Sequence, residues 1–331
     1  MIDKELKLNK DLLEKSVEKI STRDGFGRGL VEAGEKDSRV VALTADLKDS
    51  TRLKDFAEKF PGRFIEVGVA EQALATIASG MAAYGKIPFI TSYAIFSPGR
   101  NWEQIRTTIA LNNVPVKICA SHTGLSSSKD GGNHQCLEDV ALMRSIPNMV
   151  VITPCDAEET RKAVKTAAKT DEPTYIRYER EATPVMTTEK TPFKIGRADT
   201  FWISKNPQLT IIASGTLLWD ALKAAQELDK KGIECWVINC HTVKPIDGRA
   251  IIKAAKITGA IVTVEAHQIA GGLGSAVAEV LARNFPVPIE MVGIEDSFGE
   301  SGSYEELMKK YGLTKEHILQ ASKEVIKRKN N

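Results

Sequence analysis

From residue 39 onward one pattern keeps returning: a short apolar run, a segment of helical periodicity, then another apolar run. "RVVALTA" (39–45), "RFIEVG" (63–68), "IPFITSYAIF" (87–96), "VPVKICAS" (114–121), "NMVVITP" (148–154) and "PTYIRYE" (173–179) have the length and residue types of buried strands. Between them, "VAEQALATIASGMAAYG" (69–85), "GRNWEQIRTTIALNN" (99–113), "CLEDVALMRSI" (136–146) and "DAEETRKAVKTAAK" (156–169) read as helices. Strands separated by helices are joined by crossovers rather than hairpins. They therefore run parallel, with helices on both faces of the sheet.

The pattern breaks over 180–199, "REATPVMTTEKTPFKIGRAD", which is rich in Pro and Thr and lacks periodicity, and so predicts a linker. It restarts with "LTIIAS" (209–214), "IECWVIN" (233–239), "GAIVTVEA" (259–266) and "VPIEMVG" (287–293), with helices between them and two more at about 303–311 and 315–328. A chain of 331 residues is long enough for two cores. The expectation is α/β throughout: two doubly wound domains, residues 1–188 around a parallel sheet and a smaller unit over 189–331.

Charge and composition narrow the function classes. A formal charge of +2 gives no electrostatic case for nucleic acid or a membrane surface. The start, "MIDKELKLNKDLLEKSVEK", has no apolar stretch of the kind a signal peptide needs. No apolar run approaches the ~18 residues of a membrane span. The five cysteines, Cys119, Cys136, Cys155, Cys235 and Cys240, are few, odd in number and set mostly in apolar runs. That suits reduced thiols and a cytoplasmic protein rather than a disulfide framework.

In open parallel sheets, ligands bind beyond the carboxyl ends of the strands. Polar residues that packing does not demand fall there. Asp46 follows the first strand, Glu71 the second, Phe96 and Arg100 the third, His122 the fourth, and Arg180 the strand at 173–179. The loop "SHTGLSSSKDGGNHQ" (121–135) adds Asp130 and His134. A loop of small polar residues has little need of imidazoles for packing. Two local readings stay open: the histidines hydrogen-bond the loop backbone, or they join Cys119 and Cys136 on a metal, for which the H-x-C spacing is cramped. Glu71 has a local reading too, since a carboxylate in a first helical turn is favoured by the macrodipole. "AGGLGSAVAEVL" (270–281) resembles half of a dinucleotide fingerprint, but without the G-x-G-x-x-G spacing. Close strand–helix packing explains its glycines. "GLVEAGEK" (29–36) lacks the last position of a phosphate-binding loop. Tyr178 and Trp236 sit within strand patterns and read as packing.

Taken together, "GVAEQ" after a strand, "H-x7-D-x3-H-Q" about fifty residues on and "PTYIRYER" about fifty beyond that resemble the transketolase family, over its C-terminal half. The resemblance runs from "ISTRDGFGRGL" (20–30) to "YGLTKEHI" (311–318). It implies a pyrimidine-binding domain followed by a transketolase C-terminal domain, and thiamine diphosphate as cofactor. Glu71 then matches the glutamate that contacts the aminopyrimidine ring. Phe96 lies about one position from the family's usual ring partner, Arg100 stands where many members carry an aromatic residue, and Asp46 falls at the same cofactor edge. His122, Asp130 and His134 match the substrate loop, with His134 nearest the reacting carbon. "KDGGNH" replaces the more usual "EDGPTH". Arg23, Ser50 and Arg180 match positions that grip a sugar phosphate, for which a guanidinium fork is suited.

The "GDG…N" segment with which such enzymes hold diphosphate and a divalent cation has no counterpart in the sequence. The resemblance therefore implies one subunit of a split transketolase, in an α2β2 assembly. A partner chain carries the diphosphate-binding domain and Mg2+ or another divalent cation, with no metal ligand supplied by this chain. Two related readings use the same architecture: the β subunit of 2-oxoacid dehydrogenases, which lacks the D-G-x-x-H spacing, and 1-deoxyxylulose-5-phosphate synthase, which usually lacks the first loop histidine. A non-catalytic α/β binding module is the alternative from another class.

Overall fold

The computed structural model describes residues 1–330. Its largest sheet has seven strands, in the order Thr242–Lys244, Val150–Ile152, Thr174–Arg177, Lys117–Ser121, Ile87–Tyr93, Val40–Thr44, Phe64–Glu66. The six strands from the first half of the chain are mutually parallel, as the alternation predicts. The central ones are buried along their full length, which accounts for near-continuous apolar runs in place of a polar–apolar alternation. A second sheet of five strands, Ile289–Ile294, Ile261–Gln268, Leu209–Ala213, Cys235–Asn239 and Asp199–Trp202, builds the other α/β unit, with only the last strand antiparallel.

The helices start where the sequence supplies caps. Ser21 accepts the Asp24 N–H at the head of Thr22–Lys36, Asp156 accepts the Glu159 N–H at the head of Ala157–Ala167, and Ser303 forms a capping box with Glu306 at the head of Tyr304–Lys310.

Three features depart from the sequence reading. The stretch 180–199 is anchored rather than loose. Ala182–Pro184 pairs antiparallel with Lys19–Ser21, and the buried Asp156 carboxylate accepts N–H groups from Met186 at 2.7 Å and Thr187 at 2.5 Å. The helix after Arg100 widens into a π-helix over Ile105–Ala110. The strand Thr242–Lys244 belongs to the second half of the chain but pairs with Val150–Ile152 at the edge of the first sheet. Conversely, Ile2 bridges to Trp202, and Leu6 and Leu12 pack into the core of the second unit. All five cysteines are buried free thiols. Burial pushes the Cys235 and Cys240 thiols up to about 12, which leaves them unreactive at neutral pH.

Candidate active site

The carboxyl ends of the first sheet's strands bring one group of side chains together. Ile87–Tyr93 ends in Tyr93, whose ring stacks on His122 with centroids 3.8 Å apart. Phe96, in the following turn, lies parallel to Tyr93 at 5.9 Å and takes the edge of His134 at 5.5 Å. The Arg100 guanidinium covers Phe96, with its carbon 4.1 Å from the ring centroid. Its Nη1 reaches both carboxylate oxygens of Glu71 at 3.3 Å. Thus Glu71, Phe96, Arg100, His122 and His134 form one contiguous set, with Tyr93 at its centre.

Glu71 opens the helix Glu71–Ala83 and is 5% exposed. Its oxygens accept from no partner but Arg100 among the described residues, and that arm is half in solvent. The helix–dipole explanation of Glu71 accounts for its charge but not for two buried oxygens left free of backbone donors. Asn101 holds the Glu71 carbonyl at 2.9 Å and so fixes where the helix begins. A buried carboxylate beside an aromatic face has what an aminopyrimidine ring requires: a surface to stack on and an oxygen to share a proton with a ring nitrogen.

His122 is buried, at 2% exposure, and its φ of 59° places it in the left-handed region. Its Nδ1 is 2.8 Å from the Ser121 hydroxyl. Burial, then the positive charges of Arg23, Arg180 and Arg52, hold its pKa down at about 3, so the ring is neutral at physiological pH. Arg23 itself is held below its ordinary value by burial and by Arg52 and Arg180. It donates to the Ser50 carbonyl at 3.2 Å, while its Nε is buried with no hydrogen-bond partner among the described residues. Three guanidinium groups therefore share one corner; Arg52 is paired with Asp24 at 2.5 Å and Arg180 faces Asp130, and an anion entering there would meet the free N–H of Arg23.

The outer part of the loop is wetter. His134 is partly exposed, with Nδ1 3.1 Å from the Asn133 side chain. Asp130 faces Arg180 at 3.6 Å, both close to half exposed. Ser127 donates to the His134 carbonyl at 2.9 Å and also lies 3.3 Å from the His122 carbonyl, which ties the two ends of the loop together. Ser50 turns its hydroxyl back to the Leu47 carbonyl and presents its own carbonyl to Arg23. Asp46 is exposed, with φ of 60°, and its backbone N–H donates to Glu66 at 2.7 Å. Among the described residues no group of three or more His, Cys, Asp or Glu side chains gathers as a metal site.

The glycine run at 270–274 follows its packing explanation. The Glu265 carboxylate fills the start of the helix Leu273–Asn284, accepting the N–H of Leu273 at 2.6 Å and of Gly274 at 2.8 Å. A Cβ on Gly272 would lie 2.0 Å from the same carboxylate. The place where a dinucleotide-binding fold seats a phosphate is occupied by the protein's own carboxyl group.

Comparison with known proteins decides the family. Residues 18–186 match the transketolase pyrimidine-binding domain, and residues 202–318 the transketolase C-terminal domain. The chain belongs to the transketolase family. A 6-deoxy-6-sulfo-D-fructose transketolase subunit of Clostridium sp. (strain MSTE9) is 42% identical over 308 residues, covering 93% of this chain and 95% of that protein. An apulose-4-phosphate transketolase subunit of Phocaeicola vulgatus is 38% identical, over 93% of this chain and 98% of that protein. A solved split-gene transketolase, described as an inactive beta4 tetramer, superposes with a TM-score of 0.88 at 42% identity, over 94% of this chain and 99% of that one. Family membership brings thiamine diphosphate and a divalent cation as the expected cofactors of transketolase chemistry. No helix among the described residues is long and apolar enough to cross a membrane.

Some site residues escaped the sequence reading. Tyr93 carried a usable signal, a polar aromatic at the very end of a strand. Arg52 sits two residues beyond Ser50, but nothing in its spacing tells that it pairs with Asp24 at 2.5 Å and brings positive charge near His122. Glu66, which accepts the N–H groups of Asp46 and Gly68, reads from sequence as an ordinary exposed strand residue.

Proposed function

We propose that this chain is the C-terminal subunit of a two-chain, thiamine diphosphate-dependent transketolase. It transfers a two-carbon ketol unit from a ketose or ketose phosphate to an aldose or aldose phosphate. Residues 1–188 act as the pyrimidine-binding domain and residues 189–331 as the C-terminal domain. The active site is shared with a partner subunit that carries the diphosphate-binding domain and most of the grip on Mg2+, in an α2β2 assembly. The observation that carries the reading is the meeting of Glu71, Phe96, His122 and His134 at one sheet edge, beside three arginines.

Thiamine diphosphate, when bound, supplies the nucleophilic carbon and the electron sink for the transferred unit. Glu71, buried, would hold a proton at the ring nitrogen of the aminopyrimidine, and Phe96 would orient the ring. Arg100, which covers Phe96, would share that face with the ring. Asp46 lies at the rim of this end. His134, at the wetter end of the loop, is placed to exchange protons with the substrate's oxygens, while Asp130 accepts from a sugar hydroxyl. His122, kept neutral, hydrogen-bonds sugar oxygen without adding charge. Arg23, Ser50 and Arg180, with Arg52, take the anionic end. Two relatives are named for a sulfonated and a phosphorylated sugar, and a guanidinium cluster suits either anion.

The deciding experiment combines the chain with a partner that carries the diphosphate-binding domain, plus cofactor and magnesium, and measures ketol transfer. Activity is expected only from the mixture. Steady turnover by the isolated chain, or none by the mixture across sulfonated and phosphorylated ketoses, would sink the reading.

A further inference from the structure

The loop that carries Asp130 and His134 lies against the second half of the chain along its length. Near its entry, Arg177 reaches across from Nη2 to the Ala266 carbonyl at 2.7 Å, and a Cβ on Gly124 would come within 3.0 Å of that oxygen. Past its exit, the Gln268 N–H donates to the Leu137 carbonyl at 2.7 Å and the Ala141 N–H to His267 Nε2 at 3.3 Å. The tightest contact is in the middle. A Cβ on Gly132 would lie 2.4 Å from the Gly299 carbonyl, and one on Gly299 would lie 1.6 Å from Gln135 Oε1. Two backbones and an amide side chain therefore touch with no room for another atom.

Gln135 is the bridge. It is buried, and its Nε2 donates to the Ser128 carbonyl at 3.1 Å and to the Glu300 carbonyl at 2.9 Å. Its two amide hydrogens thus join the loop to the segment Ser297–Ser301. That segment is anchored in turn on the second unit. Gln268 Nε2 donates to the Ser297 carbonyl at 2.8 Å, the Tyr311 hydroxyl donates to the Phe298 carbonyl at 3.0 Å, and Lys310 pairs with Glu300. The loop's own hydrogen bonds carry any displacement onward. Asp130 N–H binds the Ser127 carbonyl at 3.0 Å, and His134 N–H binds the Gly131 carbonyl at 3.0 Å.

We propose that Ser297–Ser301 of the C-terminal unit is a strap that fixes the substrate loop, and that Gln135 is the positioning residue through which it acts on Asp130 and His134. This rests on the roles proposed above for those two side chains. It gives the C-terminal unit a part in catalysis without contact with substrate. A catalytic group misplaced by about 1 Å loses on the order of a hundredfold in rate, so a loop built from Gly and Ser needs an external splint.

The test compares Gln135→Met, which keeps length and volume but removes both donors, with Gln135→Ala in the assembled two-chain enzyme. Amide hydrogen exchange, substrate KM, kcat and cofactor affinity are measured. Faster exchange confined to 128–135 is expected, with kcat/KM down about ten- to hundredfold and cofactor affinity unchanged, since Glu71 and Phe96 stand on other elements. Gly299→Ala, pushing from the strap side, is expected to give the same signature. Unchanged exchange in Gln135→Met overturns the strap, as does faster exchange spread through the whole second unit, which would make Gln135 a fold residue. Exchange without substrate does not depend on the enzyme assignment. A loosened loop in a protein with no ketol transfer would refute that assignment and leave the strap standing.

Discussion

Two buried glutamates stand at the starts of two helices in this molecule. Glu265, 3% exposed, lies under the start of Leu273–Asn284 and receives two backbone N–H groups. Glu71, 5% exposed, begins Glu71–Ala83 and among the described residues receives none, only the arm of Arg100 reaching in from solvent. Burial is alike, but Glu71 is itself the first helical residue whereas Glu265 reaches its helix from the strand Ile261–Gln268, and the donors differ. In the second unit the backbone closes the seat, and the missing side chain at Gly272 leaves the carboxylate just enough space. In the first the seat faces an aromatic ring and stays open to exchange of partners. A buried carboxylate satisfied by its own backbone belongs to the fold. One satisfied by a movable side chain is available for chemistry.

Exchanging each carboxylate for an amide should separate the two most widely. Glu71→Gln in the assembled enzyme is expected to lower kcat by about a hundred- to ten-thousandfold, the usual worth of a positioned acid–base group, with the melting temperature unchanged. Glu265→Gln should do the reverse: a loss of roughly 1–3 kcal/mol for each N–H left without its acceptor, read from urea unfolding, with cofactor affinity preserved. If both variants melt early and both still turn over, the distinction between the seats collapses.

Arg180→Ala probes the far end of the same open edge. Losing a charge-assisted hydrogen bond costs roughly 1.5–3 kcal/mol, or about ten- to hundredfold in kcat/KM, for a substrate with an anionic terminus. A substrate lacking that group should barely respond. Equal losses for both substrates would place Arg180 in the support of the loop through Asp130, 3.6 Å away.

The smallest effect contrasts one buried histidine from each half. His122 is held at about 3 and His241 at about 4, in both cases with burial as the first cause, against about 6.5 for an exposed ring. Both are neutral in the folded state at pH 7. As pH falls below about 6.5 the unfolded chain takes up protons that the folded chain refuses. Their contribution is therefore whole above about 6.5 and is lost progressively towards 3 to 4. His122→Asn, which suits the positive φ, and His241→Asn should each lose less stability between pH 8 and pH 5 than the parent. Only His122→Asn should also raise substrate KM. Identical pH slopes in all three proteins would show that neither ring governs acid sensitivity.

The architecture was legible because period and composition are local. A buried parallel strand such as Val40–Thr44 announces itself in five residues. Strand ends then indicate an edge, and that edge does gather Glu71, Phe96, Arg100 and His122. Pairings between distant short segments leave no such mark. Thr242–Lys244 is three residues before a proline, and nothing in it names Val150–Ile152 as its neighbour. The 180–199 stretch reads as loose because its stabilising groups, Asp156 and Lys19–Ser21, lie elsewhere in the chain. Gln135 looked like the tail of a motif because its partner at Glu300 is 165 positions away. Arg52 was hidden for a similar reason: its bearing on His122 depends on how a loop turns, at a φ of 65°.

The edge strand Thr242–Lys244 makes the two sheets dependents of one another, since the first is completed only after the chain has already laid down part of the second. A fragment ending at residue 188 would carry every parallel strand of its sheet and still present Val150–Ile152 as a bare edge, open to pairing with any passing chain. Recombination between relatives at the 180–199 stretch would ask two differently evolved borders to fit. The unit that can be exchanged, fused or transplanted is therefore the whole chain.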